Sequence, residues 1–191
     1  VIMDRAIPFI QKAAQAKRPF FTVIWFHAPH LPVVAGPKYT AMYSKYDKHS
    51  QHYFGCITAL DEQIGRLWRE LDELGARENT LITFCSDNGP EGSDSSPGKT
   101  AGLRGRKRSL FEGGVRVPGL VMWPAKIKPG GKTKVPACTS DYLPTIVDVI
   151  GARRDDARPL DGVSLVPLFP GEMNERRSPI GFQSGNQLSL V

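Results

Sequence analysis

Two apolar runs with an amphipathic segment between them restrict the folds open to this chain. The runs are FFTVIWF at 20–26 and LITFCS at 81–86. The first is rich in β-branched and aromatic residues and too short to cross a membrane, so it predicts a strand buried on both faces. The second predicts a short strand. Apolar residues recur at three- and four-residue steps over 53–74, which predicts a helix that ends at Gly75. This strand–helix–strand order predicts an α/β fold with a mostly parallel central sheet and flanking helices.

Weaker patterns predict the remaining elements. They indicate a helix over 4–17, a strand over 115–123 and a helix over 140–150. Ser140 or Asp141 is the expected cap of the last helix, and Gly151 its end. The tail Ser189–Val191 has the pattern of a strand that has only begun. Residues 88–110 show no periodicity, which predicts a site loop or a disordered insertion.

Composition excludes several classes of protein. The 191 residues are 40% hydrophobic and 23% charged, as in ordinary globular domains, and they contain neither an apolar run long enough to span a membrane nor a signal-peptide pattern. Three cysteines without a CxxC pair argue against a zinc ribbon or a dense disulfide framework. The formal charge of +6 suggests an anionic partner.

Asp87, Asn88 and Gly89 follow the second apolar run, where ligands collect in open parallel sheets. A carboxylate beside an amide carbonyl offers two hard oxygen ligands to a cation such as Ca²⁺. The alternative is a tight hairpin turn, for which Asn-Gly is a strong signal, but the residues that follow have no strand pattern.

His30 lies between two prolines beyond the first apolar run, three residues after His27. The prolines restrict the backbone, which suits a proton donor or an oxyanion ligand. The alternative is an exposed loop histidine. A His-x-x-His zinc pair lacks a third ligand at suitable spacing.

The segment LRGRKRSLFEGG at 103–114 concentrates positive charge. Its basic residues are Arg104, Arg106, Lys107 and Arg108. Such a run binds an oxyanion, binds nucleic acid or is simply solvated. Nucleic acid is disfavoured because no aromatic residues alternate with the charges. Solvated surface is the expectation for most of the arginines.

Taken in order, these motifs resemble the formylglycine-dependent sulfatases over residues 19–170. The matching stretches are FFTVIWFHAPHLP, ITALDEQIGRLWREL, TLITFCSDNGPEG, GLRGRKRSLFEGGVRVPGLVMWP, and TSDYLPTIVDVIG with DGVSLVPLF. The resemblance implies an incomplete alkaline-phosphatase-like α/β sandwich. It predicts that residues 1–170 form the C-terminal portion of a catalytic domain and 171–191 the start of a truncated C-terminal subdomain.

The resemblance also implies roles for individual residues. Asp87 and Asn88 match a pair of calcium ligands, and His30 matches a histidine that contacts the sulfate and its leaving group. Lys107 matches the lysine that precedes the EGG signature, which begins at Glu112. The implied partner is a sulfated small molecule or glycan, not nucleic acid, and the implied compartment is periplasmic, extracellular or lysosomal.

Several family features are missing: the motif of the nucleophile, the paired aspartates near the family's N-terminus, and a second lysine and histidine that usually follow the nucleophile. Neither Cys56, Cys85 nor Cys138 begins the C/S-x-P/A-x-R motif of the formylglycine nucleophile. We therefore expect the nucleophile in a preceding segment, no activity from this chain alone, and exposed apolar surface that aggregates. The alternatives are a phosphate mono- or diester hydrolase of the same superfamily and a non-catalytic homologue that binds sulfated glycans.

Overall fold

The computed structural model describes residues 1–153, 155–156 and 158–191. The α-helices in this part of the chain are α1 (Met3–Gln15), α2 (Pro37–Ala41), α3 (Lys48–Glu73), α4 (Glu112–Val115) and α5 (Tyr142–Ile150). The strands are β1 (Ile82–Cys85), β2 (Gly119–Met122), β3 (Gly181–Ser184) and β4 (Gln187–Leu190). No helix among these described residues is both long and apolar enough to traverse a bilayer.

Contacts divide the chain into two units. The first comprises residues 1–80 and 92–99, and the second comprises residues 81–91 and 100–191. This division is based on contacts within the chain and does not test where a catalytic domain ends. The domain boundary predicted at residue 170 therefore stays a prediction.

In the first unit, α1 lies against the long helix α3. Arg66 on α3 donates to the Asp4 carboxylate at 2.8 Å, and Gln11 donates to Glu70 at 2.7 Å. The predicted helices are confirmed, but α3 begins five residues earlier than its apolar pattern suggested. Asp47 accounts for the difference, because its carboxylate accepts a hydrogen bond from the backbone N–H of Ser50 at 3.1 Å and so caps the polar first turn.

The segment 20–26 is extended but has no strand partner among the described residues. Its side chains alternate between half-buried and exposed, as a strand requires. Phe21, Val23 and Trp25 are 65%, 60% and 84% exposed. The prediction that this run is buried on both faces is therefore wrong for this chain, because nothing in the described residues covers its second face.

In the second unit, β1 pairs with β2 in antiparallel orientation, with Ile82 opposite Met122 and Cys85 opposite Gly119. The β1 prediction is confirmed. The predicted strand over 115–123 is confirmed only over Gly119–Met122, since α4 takes up Val115 and residues 116–118 have no strand partner among the described residues. Since the partner of β1 is the distant β2, the Asn-Gly pair after β1 does not close a tight hairpin. Both strand pairings within the described residues are antiparallel.

The chain ends in a hairpin of β3 and β4. The backbone N–H of Ile180 donates to Val191 at 2.8 Å, and the N–H of Val191 donates back at 3.0 Å. Ser189–Val191 is thus the closing part of a hairpin and not a strand that has only begun.

A buried carboxylate connects three separate parts of the second unit. Asp141 is fully buried, and Arg176 donates two hydrogen bonds to it at 2.8 and 2.9 Å. The backbone N–H groups of Cys138 and Val163 also donate to this carboxylate, each at 2.8 Å. Asp141 precedes α5, but its side chain makes no capping hydrogen bond to that helix. Asp141, one of the two residues expected to cap this helix, instead accepts hydrogen bonds from three other segments of the unit.

The charge state of Asp141 follows from opposing effects. Burial favours the neutral acid and would raise the pKa of Asp141. The hydrogen bonds from Arg176, Val163 and Cys138 together outweigh burial, and the pKa of Asp141 falls below its ordinary value. The carboxylate is therefore ionised at neutral pH and paired with Arg176, which is itself only 3% exposed.

We predict that Arg176→Ala lowers the free energy of unfolding by about 3–5 kcal/mol at neutral pH, because it leaves a buried charge without its partner. Urea denaturation measures this. Arg158→Ala is the matched control, since the exposed Arg158–Asp156 pair contributes about 0–1 kcal/mol. Because folding lowers the pKa of Asp141, its stabilising contribution is complete above about pH 4 and is lost as the pH falls further. A loss for Arg176→Ala no larger than that of the control would contradict this prediction.

We also predict that the exposed face of 20–26 drives self-association of the isolated chain. Val23→Lys with Trp25→Lys should reduce the mass measured by light scattering without lowering the free energy of unfolding, because both side chains are already exposed. Leu188→Lys with Leu190→Lys is the control, since these two residues are 79% and 74% exposed on another element. An equal effect of the two double variants would show that self-association is not specific to this face.

Candidate functional site

The residues that follow β1 form an acid–amide corner, which we define as Ser86–Gly89. The Ser86 hydroxyl donates to the Asn88 carbonyl at 3.0 Å, and the Asn88 side-chain nitrogen donates to the Gly89 carbonyl at 2.9 Å. The Asn88 Oδ1 atom is thus the side-chain acceptor left for a ligand. Asp87 is exposed, and its carboxylate has no hydrogen-bond or ion-pair partner within the described part of the chain.

This corner fits part of a calcium shell. A carboxylate and an amide oxygen are hard ligands of the kind that Ca²⁺ binds, but Ca²⁺ takes about six to eight of them. Among the described residues, no group of three or more His, Cys, Asp or Glu side chains is close enough to hold a metal ion. Asp87 and Asn88 therefore fit as two ligands of a larger set.

The segment 104–114, which we call the basic loop, lies directly against the acid–amide corner. The backbone N–H of Gly89 donates to the carbonyl of Gly114 at 2.8 Å, and the N–H of Lys107 donates to the carbonyl of Pro90 at 3.1 Å. The fold thus joins the segment with Asp87 and Asn88 to the loop with Lys107 through main-chain hydrogen bonds.

Glycines make this close approach possible. A Cβ atom on Gly89 would overlap the carbonyl oxygen of Gly113, and a Cβ atom on Gly113 would overlap the carbonyl oxygen of Gly105. Gly114 is equally restricted, because a Cβ atom there would overlap the carbonyl oxygen of Ser109. The EGG motif therefore has a packing role that its sequence pattern did not reveal.

The arginines of the basic loop contact neighbouring residues. Arg108 donates to both Glu91 carboxylate oxygens, at 2.6 and 2.7 Å, and Arg106 donates to the Glu91 carbonyl at 3.1 Å. The Arg104 guanidinium lies 3.8 Å from the centre of the Phe111 ring. Sequence reasoning assigned these arginines no role and overlooked Glu91, although an acid near a basic run was an available signal.

Lys107 differs from its neighbours. It is half-buried, and its ammonium group has no hydrogen-bond or ion-pair partner among the residues that the structure describes. The ammonium group of Lys107 is therefore available to an anionic ligand.

His30 lies in the first unit. Its Nδ1 atom is 2.8 Å from the carbonyl oxygen of Leu31, which can only accept, so Nδ1 carries a proton. Nε2 is then the ring nitrogen left for a ligand. The ring of His27 lies beside it, with centroids 5.2 Å apart.

A cavity of about 290 Å³ opens beside His27 in the first unit. Its lining is largely apolar and includes Phe26, Val34, Ala59 and Leu60. Cys56 also lines it, and burial raises the pKa of this thiol, so Cys56 is a neutral packing residue at physiological pH.

The structure therefore brings together three of the four predicted site residues. Asp87, Asn88 and Lys107 belong to adjoining segments of the second unit, whereas His30 belongs to the first. Their assignment to metal binding and catalysis stays a prediction.

We predict that Gly113→Ala lowers the free energy of unfolding by about 1–3 kcal/mol, because the new methyl group overlaps the main chain of the basic loop. It should also increase hydrogen exchange at the Lys107 amide. Gly119→Ala is the control, since a Cβ atom there meets nothing within 4 Å. Equal protection of the Lys107 amide in the two variants would contradict a positioning role for Gly113.

Comparison with known proteins gives consistent matches. The family model described as Sulfatase matches residues 1–152. Human arylsulfatase A is 36% identical over 172 residues, covering 89% of this chain and 32% of that protein. The steryl-sulfatase of Rattus norvegicus is 32% identical over 163 residues, covering 81% of this chain and 27% of that protein. The chain thus spans about a third of these relatives' length.

Comparison with solved structures also gives clear matches. The crystal structure of Ps i-CgsB is 34% identical with a TM-score of 0.86, over 94% of this chain and 40% of that one. A Bacteroides thetaiotaomicron sulfatase described in connection with glycosaminoglycan metabolism is 27% identical with a TM-score of 0.85, over 100% of this chain and 40% of that one.

Proposed function

Since this chain belongs to the sulfatase family, we propose that it forms part of the catalytic centre of a sulfuric ester hydrolase. Its fold is an incomplete α/β fold of the alkaline-phosphatase-like type, as in the sulfatases that it resembles. The observation that carries the proposal is the joining of the acid–amide corner to the loop with Lys107, within the residues that match the family. The chain spans only part of its relatives, so the activity proposed is that of a longer protein.

Asp87 and Asn88 are proposed to hold Ca²⁺ with ligands from elsewhere in that protein. The Asn88 amide supports this role, because its nitrogen is occupied by Gly89 and its oxygen is left for a cation. Bound Ca²⁺ would offset negative charge on the sulfuryl oxygens. Lys107 is proposed to do the same from the adjoining loop, since its ammonium group is not neutralised by any described residue.

The reaction proposed is hydrolysis of a sulfate monoester. The ester and water give an alcohol and hydrogen sulfate, and the bond that breaks joins sulfur to the leaving oxygen, which keeps the electron pair. That oxygen must gain a proton. His30 or Lys107 is the proposed donor, and His30 would donate from Nε2 in its protonated form, because Nδ1–H is engaged with Leu31.

The nucleophile is proposed to be a formylglycine outside these 191 residues, since no cysteine here begins the required motif. It would supply the oxygen that attacks sulfur.

The proposed substrate is a sulfated small molecule or glycan. Both substrate classes have support among similar proteins. The relatives include proteins named arylsulfatase and steryl-sulfatase, and Ps i-CgsB has been solved in complex with k-i-k-neocarrahexaose.

We predict that the isolated 191-residue chain does not turn over p-nitrophenyl sulfate, because it lacks a nucleophile. The coding sequence upstream of Val1 should contain a C/S-x-P/A-x-R motif.

In the longer protein, Lys107→Ala should lower kcat by about 100-fold or more, as for removal of one charge-stabilising donor. Arg104→Ala, in the same loop, is the control and should change kcat by less than about threefold.

Turnover by the isolated chain would overturn this proposal. An upstream sequence without the motif would also overturn it and favour a non-catalytic homologue that binds sulfated glycans.

A further inference from the structure

The second unit carries a strongly basic surface that the proposed reaction does not use. Its charges are Lys126, Lys128, Lys132 and Lys134, all exposed. We call residues 125–134 the lysine loop. From residue 113 to residue 140 the sequence contains no aspartate or glutamate, so these charges have no acidic neighbour along the chain.

The lysines of this loop are also without partners in space. None of the four forms a hydrogen bond through its side chain, an ion pair or a ring contact with any residue that the structure describes. By contrast, Arg108 and Arg116 are paired with Glu91 and Glu112. The lysine loop therefore concentrates four positive charges, without a carboxylate partner among the described residues, in a short stretch of the chain, whose formal total charge is +6.

This loop is separate from the acid–amide corner. In the β1–β2 ladder, Cys85 lies opposite Gly119, so the corner that follows Cys85 is at the starting end of β2. The lysine loop follows Met122 at the other end of the same ladder. Its base is held by a turn in which the N–H groups of Lys126 and Ile127 donate to the Trp123 carbonyl at 2.9 and 2.7 Å.

We propose that the lysine loop binds a sulfated polysaccharide at a surface separate from the proposed catalytic centre. Closely spaced, unpaired ammonium groups attract a polymer with regularly repeated anionic groups, chiefly through release of its counterions. The sequence Pro129-Gly130-Gly131 lies between the two pairs of lysines, and Gly130 has a φ of +77°, so the loop turns there. The turn presents both lysine pairs on one exposed loop.

The chemistry of the loop favours a sulfated glycan over nucleic acid. Binding of single-stranded nucleic acid relies on aromatic side chains on which bases stack, and residues 125–134 contain none. The adjacent Trp123 packs edge-on against Phe169, with centroids 6.2 Å apart. Duplex readers present charge on a helix or strand, and the lysine loop is neither.

The test is binding of heparin, a sulfated polysaccharide, measured by titration at several salt concentrations. The loop variant replaces Lys126, Lys128, Lys132 and Lys134 with glutamine. The control variant replaces four exposed basic residues of the first unit with glutamine: Lys12, Lys17, Arg18 and Lys45. Each variant loses four positive charges, which takes the formal charge from +6 to +2, so that only the location of the lost charge differs.

We expect the loop variant to bind heparin at least about tenfold more weakly than the parent chain. The slope of log K against the logarithm of the salt concentration should be smaller in magnitude by about two to four. The control variant should weaken binding by less than about threefold, and desulfated heparin should bind neither variant nor the parent chain tightly. Circular dichroism checks that both variants fold, and all four lysines are exposed, so their replacement should not unfold the chain.

Equal losses in the two variants would show that attraction is spread over the whole surface and would overturn the proposal. Tighter, loop-dependent binding of a single-stranded oligonucleotide would overturn it in favour of nucleic acid. The assay involves no catalysis, so either result would leave the proposed hydrolase function untouched.

Discussion

Three glycines allow the segment after β1 to lie directly against the basic loop. Gly89, Gly113 and Gly114 are buried, and a Cβ atom on any of them would overlap a carbonyl oxygen. Main-chain hydrogen bonds then hold Lys107 beside the acid–amide corner. An exposed ion pair such as Arg108–Glu91 contributes only about 0–1 kcal/mol, so backbone packing rather than the charges of the basic loop positions Lys107.

In the second unit, a buried polar network accompanies a small set of buried apolar side chains. Of its described hydrophobic residues, only Leu165 and Ile180 are buried, whereas Asp141 is fully buried. Asp141 connects segments that are far apart in sequence, and its burial is tolerated because four hydrogen bonds satisfy the carboxylate. Ionic hydrogen bonds of this kind are short and directional, so the network specifies one arrangement where a small apolar core would specify it weakly.

Local sequence patterns predicted the helices and strands. Burial and the contacts between loops depend on tertiary structure and were not predicted. Helices α3 and α5 and strand β1 were predictable because their periodicity and end signals lie within the segment itself. The burial of 20–26 was not predictable, because it depends on which strands lie alongside. At the candidate site, Asp87, Asn88 and Lys107 stood out by residue type and by family resemblance. The packing role of Gly113 and the contact of Arg108 with Glu91 required knowledge of which loops meet.

The exposed strand and the proposed chemistry are linked through His30. Covering Phe21, Val23 and Trp25 would gain about 1.5–3 kcal/mol for each side chain, and the sum is comparable with the whole stability of an ordinary domain. A strand without partners is held less firmly than one inside a sheet. His30 follows this strand after four residues, so the accuracy with which its Nε2 atom is placed depends on what pairs with 20–26. If His30 acts as proposed, the neighbouring strands that complete the sheet would also fix the position of its imidazole, so one set of contacts would serve both requirements.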